Sequence, residues 1–232
     1  MTDTEVFLRG GFATSPIRHG CIFDDSCGVL PSRLLGFDRS GDASFGSETS
    51  TCFGIVKDEA VFLEYADRTW GALGEGYYFS VPGQFRLRGT GRAAIFERIG
   101  FRGTFLMGGP IESHGRLAYI DGCTDSILVP PPRAGDPCMN GLWFPKGVKQ
   151  TMHFHPTVRM ALVLSGEGCC VTPDGEIPLR RGYVFLLREM SAHCFHTCES
   201  SMSLVTYHPD SDWGPTDANH PLINRTLIPQ RP

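Results

Sequence analysis

Short apolar runs separated by turn formers dominate the chain. "AVFLEYA", "GYYFSV", "AAIFERI", "TFLMG", "RLAYID", "SILVP", "LWFP", "MALVLSG", "YVFLL" and "SLVTYH" are each four to eight residues long and rich in β-branched or aromatic side chains. The 28 glycines and 17 prolines of the chain bound most of them. Runs of this length and spacing predict many short antiparallel strands closed into a sandwich or barrel. No segment keeps a 3.6-residue apolar period over twelve residues; "TEVFLRG" and "PSRLLGF" offer single helical turns at most. The expected class is all-β. "PDGE" at 173–176 predicts a hairpin turn between "CCVT" and "IPLRRG".

The clearest break is "LVPPPRAGDPCMNG", 128–141, whose three consecutive prolines cannot enter a sheet ladder. It predicts a first β domain over 1–127, a connector over 128–139, a second domain over 140–210 and a tail over 211–232. The tail region "YHPDSDWGPTDANHPLINRT" is dense in Asp, His, Pro and aromatic residues and is expected to wrap a barrel mouth or a partner subunit.

Charge narrows the function classes. The formal net charge is −4, with Lys and Arg scattered singly, so no basic stripe points to nucleic acid. The longest aliphatic run, "MALVL", is far short of a membrane span, and "MTDTEVFLRGGFATSP" lacks the apolar core of an export signal. The expectation is a soluble cytoplasmic protein. Nine cysteines without a CxxC pair fit buried, reduced thiols better than a disulfide framework.

Six of the eight histidines follow the connector: His153, His155, His193, His196, His208 and His220. On a strand, His153 and His155 would direct both imidazoles to one side, where neutral rings suit Fe, Zn, Cu or Ni. A third protein ligand is normally required, so the pair alone is weak evidence.

The surrounding frame adds to it. Gly147 stands six positions before His153, Arg159 four after His155, and Gly166 seven further on; Gly182 then opens a second stretch that reaches His193. This arrangement resembles the paired motifs of the cupin superfamily, G-x5-HxH-x3-4-E-x6-G and G-x5-P-x-G-x2-H-x3-N. The resemblance covers about residues 140–210 and implies a cupin-type jelly-roll barrel with His153, His155 and His193 as metal ligands. Four positions depart from it: Arg159 replaces the family glutamate, and Arg188, Met190 and Thr197 replace the proline, glycine and asparagine. In the first half, "GEGYYFSVPGQFRLRG" resembles the opening of a second motif without its histidine. That implies a bicupin with a degenerate first lobe and a dimer surface, hence a homodimer.

A permanent cation at Arg159, beside a cation site, calls for an anion between them. One resolution is a three-histidine site like those of cupin thiol dioxygenases and diketone-cleaving enzymes, with Arg159 as the catalytic residue gripping a substrate carboxylate. A second lets Glu189, Glu199, Asp210 or Asp212 replace the missing acid. A third loses the metal and leaves a cationic pocket; Arg159 pointing outward to a surface acid is the bland alternative. Phe154 and Phe185 are expected to line the substrate, with Met160, Leu162, Val184 and Leu187 as further wall candidates, and His196 and His208 to stand behind the ligands. The resemblance implies an oxidoreductase, a mononuclear non-haem Fe(II) dioxygenase acting on a small anionic organic molecule. Zn, Mn, Ni or Cu with isomerase or lyase chemistry, and a non-catalytic binder, remain open.

Overall fold

A computed structural model describes residues 7–38 and 41–229, and it is built almost entirely of antiparallel strands. Residues 4–6 of the "TEVFLRG" stretch, the start of the N-terminal segment and residues 230–232 of the tail lie outside the described residues. "PSRLLGF", the other helical-turn candidate, lies in the strand Ser32–Asp38. Among the described residues no helix is long and apolar enough to cross a membrane.

Two sheets form from residues 20–108. A six-stranded sheet runs in the order Leu106–Gly108, Tyr78–Pro82, Ser50–Asp58, Arg92–Ile99, Ser32–Asp38, Gly20–Asp25. A four-stranded sheet of Gly41–Phe45, Phe85–Gly89, Val61–Tyr65 and Arg68–Leu73 faces it. The space between is filled by Phe37, Phe45, Val56, Leu63, Phe79, Phe85, Leu87 and Ile95.

The remaining strands form a ten-stranded sheet centred on the long strand Arg159–Thr172. Its first part pairs with Tyr183–Leu187 and Met202–His208; beyond a register shift between Val163 and Ser165, its second part pairs with Gly175–Arg180 and Cys194–His196. One strand thus serves two faces of a barrel, as a bulge permits. The expected hairpin is present: Thr172 pairs with Gly175 across a two-residue loop.

Strand pairing does not follow the linear division at 128–139. Phe12–Pro16, near the chain start, pairs with Tyr183–Leu187, and Thr124–Val129 pairs with Cys138–Phe144. The second sheet therefore takes strands from both sides of the proline connector. Tyr207 and His208, at the start of the "YHPDSDWGPTDANHPLINRT" region, finish the strand Met202–His208, ahead of the tail at 211. Residues 211–217 then fold back on the connector, with Ser211 O accepting from Gly135 N (2.8 Å) and Pro215 O from Ala134 N (3.0 Å). Farther on, Leu222, Ile223, Leu227 and Ile228 are exposed.

An apolar layer joins the two assemblies. Leu34, Phe53, Ile55, Ala94 and Phe96 meet Met160, Leu162, Leu164, Val184, Leu186, Val205 and Tyr207. The Tyr207 ring stacks on Phe96 at 5.6 Å, and its hydroxyl lies 3.2 Å from Ser32 Oγ. Each fully buried side chain of this size contributes roughly 1.5–3 kcal/mol, so the halves are coupled far more strongly than by a polar contact. At the rim, the wholly buried Lys57 ammonium donates to Glu75 (2.6 Å) and Asp58 (3.0 Å), and Arg181 reaches the same Glu75 from the other half at 3.0 Å.

This layer explains the unbroken apolar runs. Along Arg159–Thr172, even-numbered Met160, Leu162 and Leu164 face the first half, while Ala161 and Val163 face the interior of the second. A strand buried on both faces has no polar side to alternate with.

Candidate metal centre

The HxH pair lies on an irregular segment rather than a regular strand, and its backbone is held by the second motif. His153 N donates to His193 O at 2.9 Å, and His193 N returns the bond to His153 O at 2.8 Å. Met190 N donates to His155 O at 2.8 Å. Met190 itself has φ +55°, the left-handed conformation that a glycine adopts without penalty. The turn ahead of His193 therefore keeps a glycine-like shape with a methionine in it, at a cost of roughly 1–2 kcal/mol. Gly166, at φ +68°, closes the other end of the frame; a Cβ there would sit 1.8 Å from Ser201 O.

Three imidazoles meet at one point. Ring centroids are 5.1 Å apart for His153 and His155, 4.5 Å for His153 and His193, and 5.1 Å for His155 and His193. One nitrogen from each lies within 4.8 Å of the others. His153 Nδ1 lies 2.8 Å from Thr151 O, and His193 Nδ1 lies 3.0 Å from Ser191 O. A carbonyl oxygen only accepts, so Nδ1 carries the proton in both rings and the Nε2 lone pairs remain free. Nε2 of His193 is buried and has no partner. Carbonyl-oriented imidazoles with free Nε2 atoms are the donor set a transition metal takes, and the residues fit such an ion.

Burial first, then the Arg159 cation and the other two imidazoles, pushes His155 down to about 3. Burial does the same to His193, to about 4, against the opposing hydrogen bond to Ser191 O. Both rings are neutral at pH 7, as metal ligands must be. An unfolded histidine takes up a proton below its ordinary value of 6.5, while the folded one does so only near 3 to 4. Stability is therefore full above pH 6.5 and declines as pH falls through that window, by about 3 kcal/mol for His193 alone, at 1.4 kcal/mol per pH unit. In urea unfolding of metal-stripped protein from pH 7 to 4, His193→Gln should show a shallower decline than wild type; identical slopes would contradict this.

Arg159 points inward. Its position in the Arg159, Ala161, Val163 series places it on the interior face of the strand, and its side chain is 11% exposed. Nη1 donates to Thr157 O (3.2 Å), Val158 O (3.1 Å) and Thr157 Oγ1, and lies 3.7 Å from Asp210 Oδ1. Nε is buried and unpartnered.

The triad and Arg159 share a cavity of about 110 Å³. Leu142, Phe144, Phe185, Leu187 and Phe195 supply its apolar wall; Tyr119, Asp125, Asn140, Gln150, Thr206 and His208 supply further polar groups. The five buried side-chain polar atoms that lack a partner among the described residues are Asn140 Oδ1, Arg159 Nε, His193 Nε2, Thr206 Oγ1 and His208 Nε2. All five belong to residues lining this cavity. Buried polar groups are rarely left unpaired, and so many around one small space mark it as a place built for a polar guest.

Of the residues singled out from sequence, His153, His155, His193, Arg159, Phe185, Leu187 and His208 line the cavity. Burial, followed by Arg159 and His155, holds His208 well below its ordinary value. Phe154 is not brought in; it is 59% exposed and outside the cavity lining. Met160, Leu162 and Val184 face the first half instead. His196 sits on the outer face beside Cys169 and Glu176, away from the triad. None of the substitute acids joins the ligand cluster: Glu199 pairs with Lys146 on the surface, and Asp210 accepts from Thr157 Oγ1 at 2.7 Å. Asp210 and Asp212 instead line a second cavity of about 210 Å³ with Trp213, and Arg159, Asn140 and His208 stand between the two spaces.

Asp125 is an acid that sequence reasoning missed. It enters from the strand Thr124–Val129, accepts a 2.9 Å hydrogen bond from Asn140 Nδ2, and burial pushes its carboxyl up. No local spacing connects it to the HxH pair; only the sheet order, which sets Thr124–Val129 beside Cys138–Phe144, brings it in.

No family model and no curated protein matches the chain. Solved structures do. YlbA of E. coli, assigned to DUF861, is 18% identical with a TM-score of 0.62, covering 90% of this chain and 96% of its own. A cupin 2 conserved barrel protein from Leptotrichia buccalis is 12% identical with a TM-score of 0.58, over 84% and 88% of the two chains. The fold is a cupin fold. A mutant salicylate 1,2-dioxygenase from Pseudoaminobacter salicylatoxidans, solved with gentisate, is 10% identical with a TM-score of 0.60, over 83% of this chain and 74% of its own. At these identities the likeness is one of fold.

Proposed function

We propose that this chain is a metal-dependent cupin enzyme that oxidises a small organic acid with dioxygen. His153, His155 and His193 hold a single iron(II). The carrying observation is the convergence of every buried, unpartnered side-chain polar atom among the described residues on the cavity that the triad opens into. When bound, iron(II) supplies Lewis acidity and the electrons that dioxygen chemistry needs. The salicylate dioxygenase likeness supports this reaction class.

The chain's own residues take defined parts. Arg159 spends Nη1 on Thr157 and Val158, which fixes the guanidinium plane and leaves Nε free to bind a substrate carboxylate. Phe144, Phe185, Leu187 and Phe195 exclude water and hold the carbon skeleton. A cavity of about 110 Å³ favours a compact acid, since a space of about 150 Å³ is what benzene fills. The two sheets of residues 20–108, with phenylalanines filling the space between them, form a metal-free lobe of a bicupin.

Asp125 supports a second reading. A carboxyl raised by burial is suited to move a proton at a substrate carbon, the chemistry of an isomerase or lyase. One experiment separates the two. Iron-loaded protein is offered a panel of small carboxylates in aerated and in anaerobic buffer, with substrate loss and oxygen uptake followed together. Oxygen uptake matching substrate loss is expected; equal turnover without oxygen would replace the dioxygenase reading with the proton-transfer one.

A further inference from the structure

The outer face of the small sheet behind the triad gathers a second set of metal-binding side chains, of different chemistry. Cys169 pairs with His196 on one side and Pro178 on the other, and Val171 pairs with Cys194 and Glu176. Between them, Cys170, Phe195 and Ile177 point into the barrel core. Alternation therefore turns Cys169, Glu176, Cys194 and His196 to the opposite face of this sheet, where Glu176 is exposed, Cys169 and His196 are half-buried and Cys194 is buried. A donor atom from each of Cys169, Glu176 and His196 lies within 4.8 Å of the other two. Cys194 Sγ is 3.4 Å from His196 Nε2.

We propose that Cys169, Cys194, His196 and Glu176 form a zinc site, separate from the histidine triad. Two thiolates with an imidazole and a carboxylate are a soft-to-borderline donor set, which selects zinc over magnesium, calcium or manganese. Tetrahedral zinc with bonds of about 2.0–2.3 Å sets its ligand atoms about 3.3–3.8 Å apart. The Cys194–His196 pair already has that spacing. Within the Cys169, Glu176 and His196 group, donors up to 4.8 Å apart need to close by about an ångström, a movement within reach of the exposed Glu176 side chain and the half-buried Cys169. Both cysteines release their protons to solution as the ion binds, and no electron transfer is involved. The ion ties together the long strand, the 175–180 hairpin arm and the short strand Cys194–His196, whose first residue directly follows His193. It thereby positions the segment that carries a triad ligand, without touching the cavity. This inference stands independently of the proposed dioxygenase activity.

Cobalt(II) provides the test, because only a thiolate-ligated site yields a near-ultraviolet sulfur-to-cobalt charge-transfer band. Reduced, metal-stripped full-length protein is titrated with cobalt(II), then with zinc(II), in wild type and in a His153→Ala/His155→Ala variant that disables the triad. The expected result is one equivalent with the thiolate band in both proteins, displaced by zinc. Cys169→Ser should reduce the band to that of the single Cys194 thiolate and weaken zinc binding about 100-fold or more. Glu176→Gln, on an exposed side chain, should keep the fold and the band while weakening zinc binding at least several-fold. The proposal is overturned if the folded triad variant shows no thiolate band, or if zinc affinity is unchanged by both Cys169→Ser and Glu176→Gln. It is equally overturned if the fully reduced protein shows no band and Cys169 and Cys194 are recovered as a disulfide from unreduced protein.

Discussion

His155→Ala should leave a folded protein that no longer retains the triad's metal and no longer consumes oxygen with its acid substrate. Loss of a group standing behind a ligand already costs about 10–100-fold in metal affinity, so loss of a ligand itself should cost more than about 100-fold. His155 is held neutral by burial and by the Arg159 cation, at about 3, so it adds little to the stability of the metal-free protein and detracts from it in acid. The variant's urea midpoint without metal should therefore equal or exceed that of wild type at pH 5. Metal content, oxygen uptake and unfolding midpoint together separate loss of a ligand from loss of the fold. Full metal retention in the variant would remove His155 from the site.

Arg159→Met should spare the metal and raise KM for the acid about 30- to 1,000-fold, the range expected when one partner of a buried charge pair is removed, about 2–4 kcal/mol. Asp210 is left without its cation, but at 28% exposure it can be solvated, so the fold should survive. Arg159→Lys should recover only part of the affinity, because an ammonium is a point charge without the guanidinium's planar edge. Removing the cation should also let His155 titrate closer to its ordinary range, which an imidazole proton-resonance titration of the metal-free variant would detect. Unchanged KM for carboxylates in Arg159→Met would mean that Arg159 serves only Thr157, Val158 and Asp210.

Part of the centre was legible along the chain because it is local in sequence. Gly147, His153, His155, Gly166 and His193 stand at fixed intervals, since each ligand must leave its turn at a set phase, and that phase is counted in residues. Met190 stands where the resembled motif has a glycine, ahead of His193. The structure keeps it left-handed at φ +55°, because the backbone bond from Met190 N to His155 O holds that conformation. Phe154 was expected to line the substrate with Phe185, yet it is exposed and outside the cavity lining.

By itself, the sequence determined the all-β class, a hairpin turn within 173–176, and the three histidines with an arginine where an acid is customary. These depend on turn residues and on spacing within one or two strands, which the chain carries in order. Tertiary structure decided which face of each strand meets what. In "MALVL" and "YVFLL" every position is apolar because both faces are buried, so nothing in the run distinguishes Ala161, toward the interior of the second barrel, from Met160, toward the other half. It also decided the company the site keeps. Asp125, Asn140, Thr206 and Phe12–Pro16 reach the second barrel through sheet order, across tens to hundreds of residues. Long-range pairing of this kind leaves no local spacing to read.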